Sequence, residues 1–238
     1  MTALVHAAVT ADGVALMDAR RGRGRWTFLD PVSAELWSKV AAGQPTQQAI
    51  DDLVHTWSLR GSDPDQVRGD LTRVAAELRQ ADLLGAAHRP APRSAPPVVH
   101  FAGPSSRSTF GVQVAAQAGL ATALVLLRCL PIRATVAAAQ AATRLPGRPG
   151  NIAETEQLHA AVRRARRAWP GRAACLEESA ALFLAAAFCG RRVRWVLGAG
   201  FVPRTAHAWV EAEGAVIGQD EADRLWPYAA ALQVEHPN

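Results

Sequence analysis

Two residues of this 238-residue chain carry side chains that could perform nucleophilic chemistry together. Cys175 stands at the start of an apolar stretch that runs to residue 189, which predicts a buried helix with the thiol in its first turn. The positive end of a helix dipole stabilises a thiolate, and the amide groups of the first turn can bind an oxyanion. The alternative is a small core residue, the role expected for Cys129 and Cys189 in their apolar helices.

His207 is the candidate base for this thiol. The segments 206–212 and 215–218 predict a hairpin, which places His207 and Trp209 on one face of a strand. The other six histidines are expected in loops, in surface helices or near the termini. A neutral imidazole beside the thiol would accept its proton and later return a proton to a leaving amine.

A third group should hold the imidazole in its working orientation. Asp220 follows on the partner strand and is the predicted third member. Gln219 is the alternative, because a shift of one residue along a strand reverses the direction of the side chain. Either a bulge or turn presents Asp220, or the amide of Gln219 orients His207.

The cysteine count argues against a metal site and against disulfides. Three cysteines without Cys-x-x-Cys spacing predict neither a disulfide framework nor a thiolate zinc site, and the sequence contains no phosphate-binding loop motif. We expect no cofactor and a reducing cytoplasm, since the first residues lack the pattern of a secretory signal. The apolar run 112–130 is expected to be a core helix without stable membrane insertion, because it carries Gln113 and Gln117, and a membrane-associated helix is the alternative.

Charge divides the chain into two parts. Residues 1–87 contain nine Lys/Arg and eleven Asp/Glu, for a net charge of −2, whereas the remaining residues contain seventeen and ten, for +7. We predict two units, 1–87 and 98–238, joined by a proline-rich linker at 88–97 that forms neither a helix nor a strand ladder.

A cluster of arginines stands at the end of a predicted helix over residues 154–168, at positions 163, 164, 166 and 167. Cations favour the C-terminal end of a helix, so the cluster indicates a solvated helix end. The alternative is a surface for an acidic peptide or partner.

The first unit has a mixed pattern with all strands before all helices. Alternating apolar residues predict strands at 4–10, 14–18 and 26–29. Helices are predicted to begin at Pro31, capped by Asp30, at Thr46, and at Pro64, capped by Asp63. The fold class is therefore α+β, and the first unit has the order βββααα.

This unit resembles the precursor-peptide recognition element of the pyrroloquinoline-quinone peptide chaperone (PqqD-like) family, a small winged-helix-like domain. The resemblance rests on Trp26-Thr27-Phe28-Leu29-Asp30, Ala34-Glu35-Leu36-Trp37, the acidic second helix and the third helix at 67–84. It implies that the leader of a ribosomally made peptide adds as a strand beside the third strand and lies against the third helix. The positions that match are Trp26, Thr27, Phe28, Leu29, Val74 and Leu78. A DNA-binding winged helix is the alternative, but the net negative charge argues against nucleic acid.

The second unit resembles the transglutaminase-like leader peptidase of lasso peptide biosynthesis. The resemblance rests on Cys175-Leu-Glu-Glu-Ser, Arg192-Val-Arg-Trp-Val-Leu-Gly and Ala206-His-Ala-Trp-Val-Glu-Ala-Glu-Gly. It implies a papain-like or transglutaminase-like cysteine peptidase domain with a Cys–His–Asp triad, onto which Cys175 and His207 map and for which Asp220 is the predicted acid.

Together the two resemblances cover nearly the whole chain and imply a fused lasso peptide B protein. Such a protein would bind the leader of the precursor peptide, hydrolyse the bond between leader and core, and hand the core to an ATP-dependent, asparagine synthetase-like cyclase. Transglutaminase-type acyl transfer and a non-catalytic leader-binding scaffold are the alternatives.

Overall fold

The computed structural model describes residues 4–85, 88–90, 98–101, 109–171, 174–219 and 228–236. Its first part has three strands followed by three helices, the order that the sequence predicts. These elements are β1 (Val5–Thr10), β2 (Gly13–Asp18), β3 (Arg25–Leu29), α1 (Pro31–Ala41), α2 (Thr46–Ser58) and α3 (Pro64–Gln80). The strands pair antiparallel in chain order, so β3 forms an edge of its sheet.

Side-chain caps set the starts of two of these helices, as predicted. The carboxylate of Asp30 accepts the N–H groups of Val32 at 3.0 Å and Ser33 at 2.9 Å, with proline at the first helical position. Asp63 caps α3 in the same way by accepting the N–H of Asp65 at 2.9 Å. Each carboxylate satisfies donors that the first turn of a helix leaves unpaired.

The prediction that the segment 88–97 forms no strand ladder is wrong for its first three residues. Strand β4 (His88–Pro90) pairs in parallel with β1, at the edge of the sheet opposite β3. An edge strand tolerates proline because the missing donor can face away from the ladder. Residues 91–97 lie outside the described residues.

The second part places helices against a five-stranded sheet. Its elements are β5 (Val98–Phe101), α4 (Phe110–Cys129), α5 (Ile132–Ala142), β6 (Arg148–Pro149), α6 (Ile152–Arg167), α7 (Cys175–Phe188), β7 (Arg191–Arg192), β8 (Arg194–Phe201), β9 (Arg204–Ala212), β10 (Ala215–Gln219) and β11 (Ala229–Val234). The sheet order is β11-β8-β9-β10-β5, with only the β10–β5 pair parallel, and β6 pairs separately with β7. The architecture as a whole is mixed α and β.

The sequence does not predict helix α5 or the strands β5, β6, β7 and β11. Helix α5 follows Pro131 in an alanine-rich segment and buries Ile132, Val136 and Ala139 along one face. Strand β11 reads Ala-Ala-Ala-Leu-Gln-Val, which has little β-branched character, and it becomes a strand because β8 offers it an open edge. Tertiary pairing decides such weak local preferences.

Helix α7 occupies the centre of the second part. Its residues from 179 to 187 are all buried, and it packs against α4, α5, α6 and strands of the sheet. Phe183 meets Trp195 of β8 with ring centroids 6.2 Å apart. On the other side, Gly119 brings α4 so close that a Cβ added there would lie 2.6 Å from the carbonyl oxygen of Ala181.

The two parts of the chain share a buried core. Met17 and Ala19 of the first part lie in the same apolar cluster as α7. Phe28 of β3 and Phe201 of β8 meet edge to face, with centroids 5.7 Å apart. Four buried alanines fill the contact between the two sheets: Ala8, Ala15, Ala199 and Ala231.

Within the described part of the chain, α4 is the single helix with the length and composition of a membrane span. Its mean hydropathy is 1.7, and 39% of its apolar 18-residue stretch is buried against the protein. The buried face includes Ala116, Ala123 and Leu127, which lie in the same cluster as α7.

Replacing Gly119 by alanine should destabilise the fold, because the new methyl group would overlap the backbone of α7 at Ala181 and Ala185. We expect Gly119→Ala to lower the free energy of unfolding by about 1–3 kcal/mol, measured by urea denaturation. The matched control is Gly69→Ala in α3, where no atom lies within 4 Å of the added carbon. This control should raise stability by up to about 1 kcal/mol, through helix propensity. Equal stability of the two variants would contradict the close helix contact.

Candidate active site

Cys175 is the first residue of α7, as predicted. Ala174 is the N-cap, and the carboxylate of Glu177 reaches back to accept the Ala174 N–H at 3.0 Å. Because alanine has no side-chain acceptor, only this half of a capping box forms. The N-cap therefore offers no side-chain oxygen to the amides of the first turn, an arrangement that suits the binding of an oxyanion.

Cys175 and His207 line the same cavity of about 230 Å³, and both are half-buried. The residues of α7 that face this cavity repeat at helical spacing: Cys175, Glu178, Ser179 and Leu182. His207 enters from β9, a strand that itself packs against α7. The structure thus brings the two predicted members of the site to one cavity with room for a peptide bond.

Alternate residues of β9 support the imidazole. The rings of His207 and Trp209 are nearly parallel, with an interplanar angle of 14° and centroids 6.1 Å apart, so they share a face as predicted. Trp209 donates from Nε1 to Glu211 at 2.8 Å, and Arg194 donates to the other oxygen of Glu211 at 3.1 Å. Tyr228 lies beside both rings, with its centroid 5.1 Å from that of His207 and 6.4 Å from that of Trp209.

A glycine makes room for this aromatic support. Gly198 lies directly opposite His207 in the β8–β9 register. A Cβ at Gly198 would lie 2.5 Å from the Trp209 ring and 2.4 Å from the Ala229 carbonyl oxygen. The indole therefore fills the space that a side chain at this position would occupy.

The cavity also contains a second histidine, which the sequence interpretation placed on a helix surface. His159 of α6 is buried, at 7% exposure, and its Nε2 lies 2.7 Å from Oε1 of Glu178. Arg166 contacts the other oxygen of the same carboxylate. One signal in the sequence could have placed Glu178 at this site. It stands three residues after Cys175, and residues three apart share a helix face.

The ionisation of Glu178 follows from these contacts. Burial by itself raises the pKa of this carboxyl group, but the hydrogen bond and charge of His159 together with the charge of Arg166 outweigh burial. The pKa of Glu178 therefore lies below its ordinary value, and the carboxylate stays charged. Arg163 and Arg166 line the cavity, so the arginine cluster is in part a wall of the site rather than only a solvated helix end.

The two candidates for a third member of the site lie at the edge of the described residues. Asp220 lies outside the described residues, and Gln219 is the last residue of β10. The pairing of β10 with β5 changes register between Val216 and Gln219, and Gly218 has a φ of +80°. A Cβ at Gly218 would lie 2.1 Å from the His159 ring, so this irregular strand end packs on His159.

The other two cysteines differ from each other. Cys189 is half-buried at the end of α7, and burial raises the pKa of its thiol. Cys129 is exposed at the end of α4, so the expectation of a core residue is wrong there, because the helix turns its last residue to solvent. Among the described residues, no group of three or more His, Cys, Asp or Glu side chains could hold a metal ion.

A second cavity, of about 310 Å³, lies between β3 and α3 in the first part. Five of the six predicted leader-binding residues line it: Thr27, Phe28, Leu29, Val74 and Leu78. Trp26 is not among the lining residues and packs against the core that contains α7. The cavity, called the β3–α3 groove below, runs beside the edge strand of the sheet.

A thiol at the N-terminus of a central helix, with an imidazole on the adjoining sheet, defines the cysteine-dependent enzymes that act on acyl groups. The family model of the transglutaminase-like superfamily matches residues 107–232, which is more than half of the chain. The chain belongs to this superfamily, whose members are typically cysteine proteases or acyltransferases. No curated protein and no solved structure matches it.

Acid should weaken the contact between α6 and α7 through Glu178. A carboxylate with a lowered pKa adds stability above its ordinary pKa of 4.5, and this stability is lost as the pH falls through the lowered value. We therefore expect the unfolding free energy of the wild type to fall below pH 4.5, with a shallower fall in Glu178→Gln. Urea unfolding at a series of pH values measures this dependence. The control is Glu35→Gln on the exposed face of α1, which should follow the wild type. Parallel curves for wild type and Glu178→Gln would contradict the prediction.

Proposed function

We propose that this protein is a leader peptidase of lasso peptide maturation. The single observation that carries the proposal is the shared cavity of Cys175 and His207 in a transglutaminase-like domain. The β3–α3 groove lies beside an edge strand of the described sheet, which supports a peptide substrate held at a second place on the same chain. Residues 1–87 would bind the leader, 88–97 would link the units, and 98–238 would cut.

The chemistry is acyl transfer to the thiol and then to water. The Cys175 sulfur attacks the carbonyl carbon of the bond between leader and core, while His207 takes the thiol proton. The amides at the start of α7 stabilise the oxyanion. Collapse breaks the C–N bond, and His207 protonates the leaving amine. Water then hydrolyses the thioester, which releases the leader carboxylate and restores the thiol.

The third member of the triad is proposed to be Asp220, with the amide of Gln219 as its alternative. The register change between Val216 and Gln219 supports a strand end that can redirect the following residue toward His207. A carboxylate in that position would fix the imidazole and stabilise its protonated form.

Leader binding is proposed to follow β-augmentation. The edge of β3, which no described strand covers, would supply main-chain hydrogen bonds, and apolar residues of the groove would select leader side chains. The free amine of the released core would pass to an asparagine synthetase-like, ATP-dependent cyclase, in the cytoplasm and without nucleic acid. Hydrolysis itself needs no cofactor.

Mass spectrometry of the cognate precursor peptide tests the proposed activity. We expect the wild type to cut at one junction and to leave a leader with a free carboxylate. Cys175→Ala should abolish cutting, because it removes the nucleophile, and Asp220→Ala should slow it strongly. A leader joined to an added amine would instead indicate acyl transfer. Binding without cutting, even with the cyclase and ATP present, would indicate a scaffold and contradict the proposal.

A charge in the β3–α3 groove tests leader binding. Val74 is half-buried and lines the groove, so Val74→Asp would place a carboxylate against the bound leader. We expect the leader affinity to fall by about tenfold or more, measured by fluorescence anisotropy of a labelled leader. Ala76→Asp adds the same charge on the exposed side of α3 and should bind like the wild type. Equal losses in both variants would argue against this groove.

A further inference from the structure

The loop between β2 and β3 reaches from the first unit to the start of α7. Arg23 donates from Nη2 to Glu177 Oε1 at 2.7 Å and from Nε to the carbonyl oxygen of Leu127 at 3.2 Å. One residue earlier, the carbonyl of Gly22 accepts the N–H of Ile132 at 2.7 Å. The loop is therefore fastened to the last turn of α4, the start of α5 and the first turn of α7.

Glu177 connects this loop to the nucleophile. One of its oxygens accepts from Arg23, and the other accepts the N–H of Ala174, the residue directly before Cys175. The Glu177 side chain is 7% exposed, whereas that of Arg23 is 58% exposed. A single buried carboxylate thus joins a cation of the first unit to the backbone that presents the thiol.

This carboxylate depends on its cation. A buried charge is costly unless it is paired, and removing one partner of such a pair leaves the other uncompensated. Without Arg23, Glu177 would turn out to solvent and give up the Ala174 N–H, or remain as an unpaired negative charge in the first turn of α7. Both results disfavour a thiolate at Cys175, the first by loosening the turn and the second by charge repulsion.

The same loop also borders the β3–α3 groove. Arg21 and Arg25 line the groove, on either side of Arg23 in sequence. Gly22 and Gly24 have φ values of +53° and +88°, which let the chain turn sharply enough to direct Arg23 away from the groove. One short segment therefore contacts both the groove and the helix that carries the thiol.

We propose that Arg23 is a positioning residue for Cys175 and that Arg23 acts through Glu177. The first unit thereby completes the cysteine site. The two units are then parts of one catalytic structure rather than a detachable binding module and an independent enzyme. The consequence for cleavage rests on the proposed function, whereas the consequence for thiol reactivity does not.

The test measures alkylation of Cys175 by iodoacetamide in the full chain, with Cys129 and Cys189 replaced by serine. We expect Arg23→Ala to slow alkylation about tenfold, since it removes one buried charge-assisted contact and loosens a helix cap. Arg23→Lys keeps the positive charge and should restore most of the rate. Global unfolding would expose the half-buried thiol and accelerate the reaction, so slower alkylation distinguishes positioning from loss of the fold.

Two comparisons make the result specific. Arg68→Ala breaks an exposed ion pair with Asp51 in the same unit, at 2.5 Å, and should leave alkylation unchanged. In a Glu177→Gln background, Arg23→Ala should have little further effect, because the two residues act through one contact. Wild-type or faster alkylation in Arg23→Ala, or simple additivity of the two substitutions, would overturn the proposal.

Cleavage of the precursor gives an independent readout. Arg23→Ala should lower kcat with little change in KM, because Arg23 itself lies outside the lining of the groove. If the wild type does not cut the precursor, the proposed function fails, but alkylation still decides the role of Arg23. A changed KM at unchanged kcat would place Arg23 in leader binding and overturn the positioning role.

Discussion

A helix buried along its whole body keeps its charged groups at its ends, and α7 places both of its glutamates in its first turn. The body of this helix is alanine, leucine and phenylalanine, enclosed by α4, α5, α6 and the sheet. Its first turn holds Cys175, Glu177 and Glu178. The burial of α7 thus requires that the two carboxylates beside the Cys175 thiol find polar partners.

These partners come from two separate directions. Arg23 reaches Glu177 from the first unit, and His159 and Arg166 reach Glu178 from α6. Each carboxylate is thereby satisfied without solvent, and each pairing fixes one neighbour of α7 in place. The Cys175 thiol lies in the same helical turn as both carboxylates. At this junction, polar contacts dock the β2–β3 loop and α6 onto α7.

The first and second units are also joined by packing. Alanines on both sheets let the strands approach closely, and Met17 enters the core around α7. A module that only carries a peptide to an enzyme would not need to share a core with it. The shared core and the Arg23 contact indicate that a displacement of the β2–β3 loop would also displace the start of α7.

Residue type and short-range spacing were sufficient to predict a large part of this structure. The caps at Asp30 and Asp63, the strand order of the first part and the helix that begins at Cys175 follow from residue type and spacing over a few positions. The sharing of one face by His207 and Trp209 follows from the period of two in a strand. The alanine-rich strand β11 does not follow, because its conformation depends on an open edge of β8.

Residue type and spacing were enough to single out the candidate nucleophile and its candidate base, because a cysteine before a long apolar helix and a histidine on a strand are local patterns. The folded structure was needed to show that the two line one cavity, that His159 joins them and that Arg23 reaches Glu177. These contacts join residues 19 to 154 positions apart along the chain. They depend on how separate elements pack and on which polar side chains then meet, and neither leaves a periodic pattern in the sequence.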